Sequence, residues 1–120
     1  MSIKELWQLV NAATGFDYAS AKEFELVGER ITTLCRLFNV REGFDRKQDN
    51  LPLRNLSQAM TAGPAKGHVV ELDIMLDEYY DIMGWDDNGI PTLERIRTLG
   101  LDSLIPTGMK KLLSGSNEQQ

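Results

Sequence analysis

The sequence offers few side chains able to do covalent or metal chemistry, and their spacing works against it. His68 is the only histidine, and no second histidine or cysteine lies within ligand spacing of it, so it reads as a structural or incidental residue. Cys35 is the only cysteine. It cannot form an internal disulfide or by itself hold zinc or an iron–sulfur cluster, and no neighbouring base supports a redox or nucleophilic role, so it reads as a packing residue. The run Asp86-Asp87-Asn88-Gly89 invites a calcium test. Setting Gly89 at position six of an EF-hand loop puts Gly84 at position one and Arg95 at position twelve, where the loop needs Asp and Glu, and the register fails. The run is a turn and helix cap instead. The glycines match neither GxGxxG nor the GxxxxGK of a phosphate loop. Tyr79, Tyr80 and Trp85 would stack nucleic-acid bases only beside a basic groove, which is lacking, so core packing is their default. No catalytic, cofactor-binding or metal-ligating residue is assigned.

The elements that position these residues read as helices. Ser20 precedes Glu23 by three, the spacing of a capping box, and opens the longest helix, which runs to Phe44 with Gly43 as its stop. Phe24, Val27, Ile31, Leu34 and Phe38 recur along it at intervals of three and four and form one apolar stripe, expected to face the core. Gly28 interrupts good helix formers and calls for the close approach of another backbone. Most of the charges on this helix, Glu25, Glu29, Arg30, Arg36, Arg41 and Glu42, read as a solvated face. Before it, Ser2 and Glu5 repeat the capping-box spacing ahead of a helix with Ile3, Leu6, Trp7, Val10 and Ala13 on one face, and a short connector makes a helical hairpin. From Asp45 to Gly67 the periodicity stops, and Pro52, Gly63, Pro64 and Gly67 mark a long surface connection that Leu51, Leu53 and Leu56 are placed to pin. A third helix spans Val69 to Met83 with Leu72, Met75, Leu76, Tyr79 and Met83 on one face, capped by Gly84. A short fourth helix follows Pro91 and Thr92 and ends at Gly100, where Leu101 folds back on Ile96. Met109, Leu112 and Leu113 add a last turn. The expectation is an all-α domain over residues 1–113, with four to five helices arranged as two helical hairpins around one core, and a flexible tail over 114–120.

Composition sets the limits of function. The 42% hydrophobic and 26% charged residues are those of a globular domain. A net charge of -5 argues against nucleic acid and against acidic membrane surfaces as partners. No apolar run has the length to span a bilayer, and the single cysteine suits a reducing compartment, so a cytoplasmic location is expected.

Several segments together carry a family resemblance. GERI (28–31), RLFNVREG (36–43), DNLPLR (49–54), MLDEYY (75–80), GWDDNGIPT (84–92) and LGL (99–101) follow one another in unbroken order. This series resembles the C-terminal portion of the tungsten-containing aldehyde ferredoxin oxidoreductases. The resemblance implies a parent oxidoreductase that converts aldehydes to carboxylic acids at a tungsten or molybdenum bis-pterin centre and passes electrons through a [4Fe-4S] cluster to ferredoxin. The family's cluster cysteines and pterin-holding segments lie upstream of the matched portion, and Cys35 aligns with none of them. The resemblance therefore implies a helical domain that holds no cofactor itself and packs against the cofactor-bearing domains, shielding the cluster and walling the substrate channel. Arg36, Asn39, Arg41, Glu42 and Trp85 are its candidate interdomain contacts. The alternative is a free-standing helical interaction module or accessory subunit without redox activity, pairing as a homodimer.

Overall fold

The computed structural model describes residues 1–115. It is all-α, with helices α1 (Ile3–Thr14), α2 (Ala21–Arg41), α3 (Leu53–Ser57), α4 (Leu72–Met83), α5 (Leu93–Thr98) and α6 (Thr107–Gly115), and a 3-10 turn at Asp102–Leu104 between the last two. The first two residues of the expected tail are thus helical, and 116–120 lie outside the described residues.

Local chemistry explains the ends of the helices. At α1 the Ser2 hydroxyl accepts from the Glu5 amide and the Glu5 carboxylate accepts from the Ser2 amide at 2.7 Å, a complete capping box. At α2 the Ser20 hydroxyl accepts from the Glu23 amide as expected, but the Glu23 carboxylate takes the Ala19 amide instead of the amide of Ser20. Gly84 ends α4 at φ +67, in the left-handed region where a Cβ is strained. After α5 the Leu101 amide donates back to the Ile96 carbonyl at 3.0 Å, so Leu101 folds over Ile96 as the cap predicts. Helix α4 starts three residues later than expected, and α3 is a short helix inside the stretch read as an irregular connection. Of the leucines meant to pin that stretch, Leu51 and Leu53 are exposed and Leu56 is half-buried.

Helices α1 and α2 form the first hairpin. It is held by polar groups more than by burial, because α1 has no buried residue. The Trp7 indole and the Asn11 amide both donate to the Tyr18 carbonyl, at 2.8 and 2.9 Å, while the rings of Phe16, Tyr18 and Phe24 stack in sequence over the junction. The apolar interior falls into two clusters instead of one. Leu37 of α2 packs with Ile96, Leu99, Leu101, Ile105 and Leu113; Tyr80, Met83 and Trp85 make the second group.

The largest departure from expectation is the rotation of α2. Its buried residues are Thr33, Arg36, Leu37 and Val40. The later part of the predicted stripe points the other way, with Ile31 58%, Phe38 56% and Leu34 39% exposed, while Phe24, packed against the Tyr18 ring, and Val27 are half-buried. At about 100° per residue the two faces lie roughly 150° apart round the axis. Helix α4 is turned only in part: Met83 is buried and Leu72 and Leu76 half-buried as expected, with Leu76 packed on Tyr80, Met83 and Trp85, while Met75 and Tyr79, also expected to face in, are exposed along with Ile74 and Ile82. Arg30 and Arg36, expected in solvent, reach inward instead, Arg30 donating to the Leu99 carbonyl at 2.8 Å. Gly28 costs about 1 kcal/mol against Ala in a helix, yet a Cβ there would meet nothing within 4 Å, so this chain makes no close approach to it.

The molecule is open and flat. Its radius of gyration is 17.9 Å and its extents are 47 × 43 × 21 Å; a compact domain of this length has a radius of about 13–14 Å. It exposes 8848 Å², against about 6500 Å² for a folded monomer of its mass.

Candidate functional site

The most constrained polar site is built on Arg36, which the register of α2 turns inward. Three other pieces of chain meet it: the turn after α2, helix α4, and the turn between α4 and α5. The guanidinium meets Asp49 at two atoms, Nη1 to Oδ1 at 2.8 Å and Nη2 to Oδ2 at 2.6 Å, and Nε donates to the Gly89 carbonyl at 2.6 Å. Of the two Asp49 contacts only that of Nη1 has hydrogen-bond geometry; Nη2 is buried without a hydrogen-bond partner among the described residues, so its approach to Oδ2 is an ion-pair contact and not the second prong of an aligned fork. The guanidinium lies 5.3 Å from the Trp85 ring centre and 5.9 Å from that of Tyr80, and Arg36 is only 7% exposed. The Trp85 indole N–H is buried with no acceptor among the described residues, so the ring serves through its face.

The Tyr80 hydroxyl donates to the same Asp49 carboxylate. Burial works to raise the Asp49 carboxyl, but hydrogen bonds from Arg36 and Tyr80 outweigh it and hold it below the usual carboxylate range. Burial first, and then the bond to Asp49, pushes the Tyr80 phenol up to about 12. Gly89 is required by two constraints at once. Its φ is +71, and a Cβ there would run into Arg36 and lie 2.7 Å from the Tyr80 ring. The turn that presents it is shaped by Asp86, whose side chain accepts from the amides of Asn88 and Ile90 at 2.9 Å each. Nearby, Arg46 bonds Asp77 at 2.6 Å and its amide donates to the Asn88 carbonyl, closing the loop onto α4.

Arg36, Asp49, Tyr80 and the Gly89 carbonyl hold one another, while Arg36 Nη2 and the Trp85 indole N–H keep no hydrogen-bond partner among the described residues; the arrangement is a clamp. The donors needed for a redox centre are not brought together. Cys35 is a lone exposed thiol, His68 lies in an exposed loop, and no three His, Cys, Asp or Glu side chains converge among the described residues. This donor set does not fit a tungsten centre or an iron–sulfur cluster, and no chemical step is derived through either.

The five candidate contact residues fall into two sets, Arg36, Asn39 and Trp85 around one cleft and Arg41 and Glu42 outside it. Arg36 and Trp85 come together in the buried clamp. Asn39 sits with Cys35, Tyr79 and Trp85 around this cleft of about 310 Å³ between α2 and α4. Arg41 and Glu42 lie outside it as an exposed pair at 2.8 Å, with Arg41 stacked 4.6 Å from the Phe38 ring centre. Asp49, Tyr80 and Gly89 are clamp members that the candidate set lacks. The available signal was their place in the segments DNLPLR, MLDEYY and GWDDNGIPT.

Comparison with known proteins gives consistent results. The family model described as aldehyde ferredoxin oxidoreductase, domains 2 & 3, matches residues 1–101. The tungsten-containing aldehyde ferredoxin oxidoreductase of Pyrococcus abyssi is 44% identical over 98 residues, covering 81% of this chain and 16% of that protein. An aliphatic sulfonate oxidoreductase, WOR-like subunit, of Pyrococcus furiosus is 30% identical over 99 residues, covering 76% of this chain and 16% of that protein. In solved structures, a chain of the active-site complex BamBC of benzoyl coenzyme A reductase, in complex with 1,5-dienoyl-CoA, has the same fold. Its TM-score is 0.69 at 24% identity, over 100% of this chain and 16% of the other. The chain thus spans about one sixth of the curated relatives' length.

Proposed function

The chain belongs to the aldehyde ferredoxin oxidoreductase family, and from that premise we propose that it is the helical wall of such an enzyme, packing against cofactor-bearing domains that it does not itself contain. One observation carries this reading: the apolar stripe of α2 faces outward, and with it the exposed apolar residues of α4. Single exposed hydrophobics are ordinary on any protein, but several together on one helix face, here Ile31, Leu34 and Phe38, mark a surface made to be covered. The chain's surface exceeds that of a compact monomer by about 2300 Å², the scale one partner contributes to a large obligate interface.

On this reading the oxidation of aldehydes, the tungsten or molybdenum bis-pterin centre, the [4Fe-4S] cluster and the transfer to ferredoxin belong to the remaining domains. This domain excludes water from that region and walls the substrate path, in a cytoplasmic enzyme. Asn39, Arg41 and Glu42 meet the partner at the C-terminal end of α2, while Arg36 and Trp85 act from behind by fixing the angle at which α2 is presented.

The test is to produce this chain together with the Pyrococcus abyssi enzyme shortened by its 98 matching residues. The expected result is a one-to-one complex on size exclusion. A folded chain that elutes alone, or only as its own dimer, would overturn the proposal in favour of a free-standing module.

A further inference from the structure

The outward face of α2 has a finer pattern than a stripe. Ala21, Gly28 and Cys35 are seven residues apart, and so are Phe24, Ile31 and Phe38; the two rows interleave at intervals of three and four. This is a heptad seam with a small residue at every position of one row and a large apolar residue at every position of the other. Charges are absent from both rows from Ala21 to Phe38. Ala21 and Phe24 are half-buried, Phe24 against the Tyr18 ring, but Gly28, Ile31, Cys35 and Phe38 are exposed and a Cβ at Gly28 would meet nothing within 4 Å, so from Gly28 onward the chain's own fold explains neither the glycine nor the register.

Resting on the reading of this domain as the wall of a larger enzyme, we propose that a helix of the cofactor-bearing part lies along α2 at a small crossing angle, with its backbone closest at Gly28. Rows spaced three and four apart favour crossings of about 20°, in which the large row fills the partner's holes and the small row admits its ridge. A helix satisfies all its backbone hydrogen bonds internally, so its apolar side can cover this uncharged face without leaving polar groups unpaired. The occupant is assigned to the remaining part of the enzyme and not to a second copy, because about five-sixths of the relative's own chain lies outside the matched stretch and the seam is only one part of the surface left uncovered.

Gly28→Ala and Gly28→Leu separate the possibilities when each is produced with the shortened Pyrococcus abyssi enzyme. In the free chain both fold, and Gly28→Ala melts about 3–6 °C higher because the helix gains propensity. In the complex, association weakens about tenfold for Ala and more than a hundredfold for Leu. If the wild type associates and both variants bind equally well, the seam is not the contact and the inference fails while the family reading stands. If the wild type does not associate, the family reading fails first. A wild-type homodimer that Gly28→Leu splits would give the seam to a second copy and overturn the inference. Should Gly28→Leu not fold, the Ala variant alone decides.

Discussion

Helix α2 presents two faces built on opposite rules. The inward face carries Thr33, Arg36, Leu37 and Val40, with Arg30 and Glu29 beside them, and it is joined to the rest of the chain by directional bonds: Arg30 to the Leu99 carbonyl, Arg36 to Asp49 and Gly89, and Glu29 to Arg95. The outward face carries Val27, Ile31, Leu34 and Phe38 and makes no such bonds. A domain this small cannot bury both sides of a 21-residue helix. Directional bonds fix one orientation with little apolar area, whereas a large apolar face stabilises in proportion to the area a partner covers. The helix is therefore oriented by its polar side and left free to dock by its apolar side.

The largest effect belongs to the inward face. Arg36→Ala leaves the Asp49 carboxylate and the Gly89 carbonyl without their main partner in a half-buried site, and removes the cation from beside the Tyr80 and Trp85 rings. Breaking one side of a buried pair costs about 3–5 kcal/mol, a large share of the roughly 5–15 kcal/mol that holds a domain together. Urea unfolding of the variant is expected to show a midpoint lower by about 2 M or more. A loss below about 1 kcal/mol would mean that the clamp does not orient the helix.

The clamp also titrates, and the two limbs have opposite signs. The folded Asp49 carboxyl lies below its unfolded value, so its contribution is complete above about pH 4 and is lost as pH falls through the folded value. The folded Tyr80 phenol lies at about 12, above the unfolded value near 10, so its contribution is complete below about pH 10 and disappears as pH rises towards 12. Melting temperatures across pH should flatten below pH 4 for Asp49→Asn and between pH 10 and 12 for Tyr80→Phe. Unchanged limbs in both variants would place the titration elsewhere.

The fold was readable where local chemistry decides it. Ser2 with Glu5, Ser20, Gly84 and the return of Leu101 to Ile96 each satisfy backbone groups within a few residues, so sequence spacing was sufficient. The facing of α2 was not readable, and that of α4 only in part, through Leu72, Leu76 and Met83. Periodicity finds the most apolar side of a helix and assumes that it packs within the same chain, and here that side is uncovered. Arg36 and Trp85 were singled out from segment resemblance, but their pairing with Asp49, Tyr80 and Gly89 depends on residues up to 53 positions apart, a distance over which spacing carries no information.

The smallest expected effect is the sharpest test of the two faces, because periodicity alone assigns Ile31 to the core. Ile31→Lys would then bury a charge and unfold the chain. In the structure Ile31 is more than half exposed, so the lysine can extend into water over its aliphatic stem. Exposed substitutions away from caps and clamps shift stability by within about 0.5 kcal/mol, and the urea midpoint of the free chain should be that of the wild type. The same variant should fail to associate with the shortened relative, since a helix lying on the seam would have to desolvate the ammonium without a partner for it. Intact stability together with lost association is the signature of a face that belongs to another part of the enzyme, and a large loss of stability in the free chain would return Ile31 to the core and remove the distinction between the two sides of α2.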